Sequence, residues 1–428
     1  MSQNIPVSTQ WTLDATGDSG RVAVSSVYMI SCQKTASKGS SFLLQNGYVI
    51  TNVHVIDGED IQNIVATSAS GQRINFTSCY YDSERDIAIL KPSIQLIGGL
   101  ELDLSESTKI GESVYTWGYP LGHNGPAPLL SVGYLSGFQA FLLGSGAIQK
   151  RLVVNGAFNS GNSGGGLFKA NENKIIGIVV NKRIPILNQF QNNAIEALAK
   201  NGSGIVFAAK DSQGGEKTFV ESQIVAQLLE SFRGLVQIMI GEAICSTELV
   251  KVLMSVAVRL VVEANEYSEK QNNHGKAISL LLEAANLIEI FKPKDEIMMA
   301  IYYNLGNSYQ KQFQWLKAQE SFLKAQKICE GLATKEQVLR MITNRVQQCA
   351  SFLQKPLSSL VIPNSVGMLN VSAVAVSNFN STSILLSSSS SSLSCSSSVF
   401  RDTTVDVQLP LPAVLDIARL SISTDLKP

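Results

Sequence analysis

The stretch N159-S-G-N-S-G-G-G-L-F168 places Ser163 among four glycines. Such a run is typical of a tight turn, because glycine lets backbone N–H groups converge on one point without a Cβ atom in the way. A point of this kind suits the oxyanion of an acyl transfer, with the N–H groups of Gly161 and Ser163 as the expected donors. A serine hydroxyl is a weak nucleophile, so this interpretation also needs a base and a group that orients it. Taken alone, the stretch fits a glycine-rich surface turn equally well.

The chain offers only a few candidates for that base. Its three histidines are His54, His123 and His274. His54 ends the β-branched run Y48-V-I-T-N-V-H-V55, which predicts a strand. Asp86, in S83-E-R-D-I-A-I-L-K91, opens another short apolar strand and is the candidate orienting group. Singly, His54 reads as a strand-end histidine and Asp86 as a strand-start acid, but the order His, Asp, Ser predicts a catalytic triad.

These contexts carry a family resemblance. T51-N-V-H-V55, D86-I-A-I-L-K91 and G161-N-S-G-G165 resemble motifs of the trypsin-like serine proteases, most closely those of the HtrA/Deg type. The resemblance implies two packed six-stranded β-barrels, with His54 and Asp86 from the first and Ser163 from the second. It also implies that His54 accepts the proton of Ser163 while Asp86 orients the imidazole, with no metal or organic cofactor. The residues by themselves predict only an all-β region, from short strands with glycine-rich turns.

The resemblance extends to the ends of the protease region and to its substrate site. The run S203-G-I-V-F-A-A-K210 is interpreted as a strand of the second barrel, and the helix ending at Phe232 as the closing helix. The residues expected to contact substrate are Ala157, Phe158, Val179, Val180 and Asn181. Ala157 occupies the floor of the specificity pocket and Phe158 makes the pocket shallow, which favours a small or medium aliphatic residue over lysine or arginine. The strand I178-V-V-N-K182 is expected to pair with the substrate backbone, although it also fits an ordinary buried barrel strand.

The pattern changes to helices after about residue 245. A277-I-S-L-L-L-E-A284 recurs as A318-Q-E-S-F-L-K-A325, and Y302-Y-N-L-G-N-S-Y309 precedes the second copy. The placement of Leu305, Gly306, Tyr309, Ala318, Phe322 and Ala325 resembles a tetratricopeptide repeat (TPR). Such a module recruits protein partners, whereas a generic helical bundle is the alternative. Because only one repeat is clear, we expect these helices to pack on the protease region or to self-associate.

Composition narrows the remaining possibilities. The 34 basic and 34 acidic residues balance, so no net field favours nucleic acid or an anionic membrane. No apolar run long enough to span a membrane and no signal-peptide pattern is present in the sequence, and six cysteines without a C-x-x-C pair fit a reducing compartment. The sequence therefore predicts a soluble, cytoplasmic protein. Residues 384–399 are mostly serine, which predicts a disordered tail.

Together these features predict a multidomain chain. Residues 1–232 are the all-β double-barrel trypsin-like domain, 245–354 an all-α TPR-like module and 355–428 a serine-rich tail. The predicted function is a serine endopeptidase with a protein or peptide substrate, a protein partner for the helices and possible homo-oligomerisation. One alternative is a catalytically inactive trypsin-like scaffold that acts as a TPR-type interaction protein. Another is an enzyme that cleaves only itself or one partner.

Overall fold

The computed structural model of the protein describes residues 5–156, 158–170, 172–182, 189–200, 202–210, 216–235, 240–332 and 336–354. The strands are β1 Val27–Cys32, β2 Lys38–Leu43, β3 Val49–Thr51, β4 Ile64–Ser68, β5 Arg73–Ile74, β6 Phe76–Asp82, β7 Ile87–Pro92, β8 Glu101–Leu102, β9 Ser113–Gly118, β10 Leu129–Leu142, β11 Ile148–Gly156, β12 Gly166–Lys169, β13 Lys174–Lys182, β14 Val206–Lys210, β15 Glu216–Val220 and β16 Ile240–Cys245. The helices are α1 Val7–Ala15, α2 Asp18–Ser26, α3 Val53–Ile56, α4 Gln189–Lys200, α5 Glu221–Leu235, α6 Ser246–Glu269, α7 His274–Ile288, α8 Glu296–Lys311, α9 Trp315–Glu330 and α10 Glu336–Gln354. The tail over 355–428 lies outside the described residues, so its disorder stays a prediction.

The first sheet has seven strands in the order β5-β4-β1-β2-β3-β7-β6, and every neighbouring pair is antiparallel. The residues of β7 alternate between two cores. Ala88 and Leu90 lie in the barrel interior, whereas Ile87 and Ile89 join the cluster that contains the C-terminal helices. A strand buried on both faces reads as a continuous apolar run, because both sets of alternate side chains leave water. Asp86, which directly precedes β7, is therefore attached to a strand held on both sides.

The second sheet forms a closed barrel. Its order is β12-β9-β10-β11-β16-β13-β8, and an additional β12–β13 pairing closes a ring of the first six strands. Its interior is apolar and consists of Val114, Leu135, Leu152, Val154, Phe158, Leu167, Ile176, Val179 and Ala243. The expected pair of six-stranded barrels is thus modified: each sheet has seven strands, and the pairing of the second closes six of them.

The end of the second barrel differs from the boundary at residue 232. The expected barrel strand near residues 203–210 is β14, which pairs with β15 in a separate two-stranded sheet. The sixth strand of the ring is instead β16, which lies between β11 and β13. Its Gly241 leaves room for the ring of Phe158, where a Cβ atom would lie 2.6 Å from Cδ2. The helix over 221–235 packs on α4 and β15, whereas α6, which follows β16 directly, packs against the barrel strands β13 and β16.

The helical region consists of α6 to α10, and consecutive helices pack against each other. Gly306 on α8 faces the ring of Phe322 on α9, and a Cβ atom there would lie 2.6 Å from that ring. Ala318, Phe322 and Ala325 are fully buried. The helices α8 and α9 therefore approach each other closely, because glycine admits the aromatic ring. The assignment of these helices as tetratricopeptide repeats stays a prediction.

The helices pack against the first barrel. This is one of the two arrangements expected from the sequence, the other being self-association. Glu283 on α7 accepts hydrogen bonds from the hydroxyls of Tyr80, at 2.8 Å, and Tyr48, at 3.4 Å. Asn46 donates to the Leu287 carbonyl at 3.1 Å, and Asn286 donates back to the Asn46 carbonyl at 3.0 Å. The apolar side chains of α6, α7 and the first barrel form one continuous cluster. Within the described residues, no helix has the length and apolar character needed to cross a membrane.

Candidate active site

The Asp86 carboxylate holds both the ring and the backbone of His54. Its Oδ2 atom lies 2.7 Å from His54 Nδ1, and its Oδ1 atom accepts the backbone N–H of His54 at 3.0 Å. The His54 side chain is 48% exposed and that of Asp86 is 18% exposed, so the imidazole faces solvent while most of the carboxylate is buried. A carboxylate on Nδ1 favours the tautomer whose Nε2 can accept a proton, which is what a general base requires.

Asp86 adopts a backbone conformation that its surroundings must maintain. Its φ of 56° lies in the left-handed region, which costs a non-glycine residue about 1–3 kcal/mol. The Asp86 N–H donates to the Ser83 carbonyl at 3.3 Å, and Asn52 Nδ2 donates to the Asp86 carbonyl at 2.8 Å. Asn52 is fully buried and was not singled out in the sequence, although it lies in the T-N-x-H-V motif. These bonds orient the carboxylate toward α3.

The turn that carries Ser163 is formed by backbone groups and depends on glycine. Gly161 and Gly164 have φ values of 96° and 84°, and a methyl group on Gly164 would overlap Ser40 O and Thr51 Oγ1. Glycine is therefore required at position 164 on two grounds, conformation and space. Gly164 N donates to Val179 O at 2.8 Å and Val179 N donates to Gly165 O at 2.8 Å, so the turn is attached to β13.

The Ser163 hydroxyl does not contact His54 in this structure. It donates to the carbonyl of Val180 at 2.6 Å, and no hydrogen bond joins it to the imidazole. The structure thus brings His54 and Asp86 into direct contact and leaves Ser163 with a different partner. A change of χ1 separates one staggered position of the hydroxyl from another, and catalytic hydrogen bonds frequently form only in the substrate complex.

The expected oxyanion donors, Gly161 N and Ser163 N, bond to no acceptor within the part of the chain that the structure describes. The Gly161 carbonyl is held separately, because it accepts from Ser40 Oγ at 2.7 Å. Asn162 N, between the two donors, is occupied by Asn159 O at 3.0 Å. The turn therefore presents two unoccupied donors that alternate with an occupied one.

Ser40 connects the two halves of the site, although no motif in the sequence indicates this role. Its N–H donates to Ser163 O at 2.8 Å, its hydroxyl donates to Gly161 O, and the same hydroxyl accepts from Tyr119 N at 2.9 Å. Its carbonyl accepts from Thr51 Oγ1 at 2.8 Å. The hydroxyl of a buried serine in a strand usually forms hydrogen bonds with nearby groups. The run S40-S-F-L-L44 has the pattern of an ordinary strand and does not indicate more distant partners.

The residues expected to bind substrate occupy different environments. Phe158 is 1% exposed and lies in the interior of the second barrel, so it supports the site from behind and is not a surface of it. The side chains of Val179 and Val180 are also buried, and only their backbone groups face the Ser163 turn. The backbone of Asn181 pairs with Glu242 of β16. Ala157 lies outside the described residues.

Cys32 and the other two histidines, His123 and His274, have different hydrogen-bond partners. Cys32 Sγ lies 3.5 Å from the Val55 carbonyl behind α3. Burial, followed by the charge of Glu59, raises the pKa of Cys32 to about 11, so its thiol stays protonated at neutral pH. His123 Nε2 lies 2.9 Å from the Ala127 carbonyl, and His274 Nδ1 lies 3.0 Å from Ser268 Oγ. His54 is thus the histidine that is paired with a carboxylate.

Comparison with known proteins shows what part of the chain resembles. Residues 39–178 match the family model of the trypsin-like peptidase domain. The "Probable periplasmic serine endoprotease DegP-like" of Halomonas elongata is 30% identical over 147 residues, which cover 34% of this chain and 30% of that protein. The "Serine protease Do-like HtrA" of Lactobacillus helveticus is 30% identical over 151 residues, which cover 34% of this chain and 36% of that protein. A crystal structure of the serine endoprotease from Yersinia pestis aligns with 20% identity and a TM-score of 0.33, covering 48% of this chain and 72% of that one.

The similarity is confined to one part of each protein. This chain spans about a third of the length of the curated relatives it matches. Several relatives are named as periplasmic proteins, so the comparisons do not support the cytoplasmic location expected from the sequence. The matched region nevertheless contains His54, Asp86 and Ser163. Residues 39–178 therefore form a trypsin-like peptidase domain that is similar to those of HtrA/DegP-type proteases.

Proposed function

We propose that the protein is a serine endopeptidase in which Ser163 attacks a peptide carbonyl. The observation that carries the proposal is the His54–Asp86 pair beside a glycine turn whose Gly161 and Ser163 N–H groups have no acceptor among the described residues. In the reaction, the Ser163 hydroxyl leaves Val180 O and transfers its proton to His54 Nε2 as the Ser163 oxygen bonds to the carbonyl carbon. Asp86 stabilises the imidazolium, and the two N–H groups bind the oxyanion. His54 then protonates the leaving amine, and water repeats the sequence on the acyl-enzyme.

The substrate would lie along the free edge of β13. Among the described residues, the segment after Val179 pairs with β16 on one side only. The Val180 carbonyl at this edge is the acceptor now used by the Ser163 hydroxyl, so an extended peptide could take it with a backbone N–H. We further propose a small or medium aliphatic preference before the cleaved bond, from Ala157 and from the support that buried Phe158 gives the site, with Val179, Val180 and Asn181 along the substrate. The helices would recruit a protein substrate or partner.

The test is labelling with an active-site serine probe, combined with cleavage of a peptide library. Wild type should react and cleave after alanine or valine at least about tenfold faster than after lysine or arginine, since one ill-fitting group costs roughly 1–3 kcal/mol. Ser163→Ala should abolish both signals, with losses on the order of 10⁶. Ser160→Ala, an exposed serine of the same turn, is the matched control and should retain activity. Labelling that persists in Ser163→Ala would refute the assignment of the nucleophile.

A second candidate function is a restricted or inactive scaffold that acts through its helices. The observation that favours it is the Ser163 hydroxyl, which donates to Val180 O instead of His54. If that arrangement persisted with substrate, the serine would not be activated. Unreactive wild-type protein that still binds partners through residues 246–354 would support this candidate over the protease.

A further inference from the structure

The turn that carries Asp86 is held from outside the first barrel. Residues 83–86 connect β6 to β7, and buried Gln149 of β11 donates from Nε2 to the Arg85 carbonyl at 2.9 Å. That carbonyl belongs to the peptide group between Arg85 and Asp86. Its orientation sets the backbone at Asp86, where φ is 56°. The second barrel therefore fixes the strained residue from one side while Asn52 fixes it from the other.

The helical region reaches the same turn through an ion pair. Arg85 Nε and Glu248 Oε2 lie 3.5 Å apart, and neither buried atom has a hydrogen bond among the described residues. Glu248 stands in the first turn of α6, and its side chain is 2% exposed. Its other oxygen accepts from Lys251 Nζ at 2.7 Å. A carboxylate this buried is tolerated only when cations compensate it, so Arg85 is held in place by Glu248 and by Asp82, 2.8 Å from Nη1.

A second contact from the helices holds the same two strands further along. Glu283 of α7 accepts from the Tyr80 hydroxyl on β6 at 2.8 Å and pairs with Lys91 Nζ on β7 at 2.9 Å. The β6–β7 pair is thus contacted at its turn by Glu248 of α6 and along its strands by Glu283 of α7.

We propose that Glu248 is a positioning residue for the Asp86–His54 pair and acts through Arg85. The inference rests on the proposed function and extends it to the helical region. Loss of the Glu248 charge removes one of the two carboxylates that hold the Arg85 side chain and leaves the other, Asp82. The Arg85–Asp86 peptide keeps its bonds to Gln149 and to the Ser83 carbonyl but loses this support from α6. Because a catalytic group displaced by about 1 Å can lose up to 10²-fold in rate, a small release of Asp86 is measurable. The helices thereby support the chemistry without touching the substrate.

The experiment compares Glu248→Gln with Glu266→Gln in the full chain. Glu266 lies at the other end of α6 and forms an exposed ion pair with Lys270 at 3.1 Å, so it controls for the same change in the same helix. On a short peptide, Glu248→Gln should lower kcat about tenfold with little change in KM. The downfield ¹H NMR resonance of the His54 Nδ1 proton should broaden or move upfield. Glu266→Gln should match wild type in both measurements.

The route through Arg85 is tested by a double-mutant cycle. Arg85→Gln removes the same ion pair by changing its more exposed partner, and it should reproduce the effect of Glu248→Gln. It therefore provides the test even if Glu248→Gln folds poorly. Both changes remove the Arg85–Glu248 pair, so the double variant should be no slower than Arg85→Gln, which also removes the ion pair with Asp82. Additive losses would overturn the route through Arg85. Reduced melting temperature with wild-type kcat and an unchanged resonance would make Glu248 a structural residue only. If wild type failed to cleave peptides, the proposed function would fall, while the resonance would still report the coupling.

Discussion

The two halves of the site are built from different chemical groups. In the first barrel, side chains bond to side chains and to strained backbone, as in the contacts of Asp86 with His54 and of Asn52 with Asp86. In the second barrel, backbone groups of a glycine turn bond to β13, and the one functional side chain, Ser163, donates to a neighbouring carbonyl. In the proposed mechanism, His54 is thus held in place before substrate arrives, whereas Ser163 must exchange the Val180 carbonyl for His54.

In the first half of the site, we expect Asp86→Asn to cause the largest loss of activity. The amide keeps the shape of the carboxylate but can favour the wrong imidazole tautomer, and it cannot stabilise the imidazolium. We expect kcat to fall by about 10⁴. Asp57→Asn, which changes an exposed acid on the other side of α3, should leave kcat unchanged. Peptide hydrolysis by Asp86→Asn within tenfold of wild type would show that His54 does not depend on this carboxylate.

The second half of the site depends on the backbone conformation of its glycine turn, and Gly164→Ala tests this dependence. Gly164 and Gly146 have nearly equal φ values, 84° and 82°, but a methyl group at Gly146 meets nothing within 4 Å. Both alanine variants incur the left-handed cost of roughly 1–2 kcal/mol. Only Gly164→Ala also drives a methyl group into Ser40 O and Thr51 Oγ1, so its free energy of unfolding should fall further and hydrolysis should be lost. Equal denaturant midpoints for the two variants would contradict the close packing of the turn.

The smallest expected effect concerns the connection between the halves. Ser40→Ala removes the hydroxyl bonds to Gly161 O and Tyr119 N, and Ser41→Ala removes the bond to Tyr28 O at 3.2 Å. Both serines are fully buried, so each substitution should cost about 1–3 kcal/mol of unfolding free energy. Only Ser40→Ala should also lower kcat, because only Ser40 holds the carbonyl between the two oxyanion donors. A parallel loss of kcat in Ser41→Ala would mean that stability alone explains the effect.

Much of the site follows from short-range patterns. His54, Asp86 and Ser163 each lie in a motif of a few residues, and such motifs can be read without knowing what they contact. The tight glycine turn expected around Ser163 is local in the same way, and Gly161 and Gly164 have positive φ values in it. The role of Ser40 could not be predicted, because its partners Gly161 and Tyr119 are distant in sequence and an ordinary strand residue has the same appearance.

By itself, the sequence determined which residue types stand beside one another: the three motifs, the apolar alternation of the strands and the change to helical periodicity near residue 245. Tertiary structure alone decided which strand completes the second barrel, since β14 and β16 are both short apolar runs and only the fit of Gly241 to Phe158 and the pairing with β11 and β13 distinguish them. It also decided that Ser163 donates to Val180 and that Glu248 faces Arg85. The physical reason is that motifs and periodicity depend on neighbours along the chain, whereas hydrogen bonds and ion pairs depend on distances in space that only the folded chain sets.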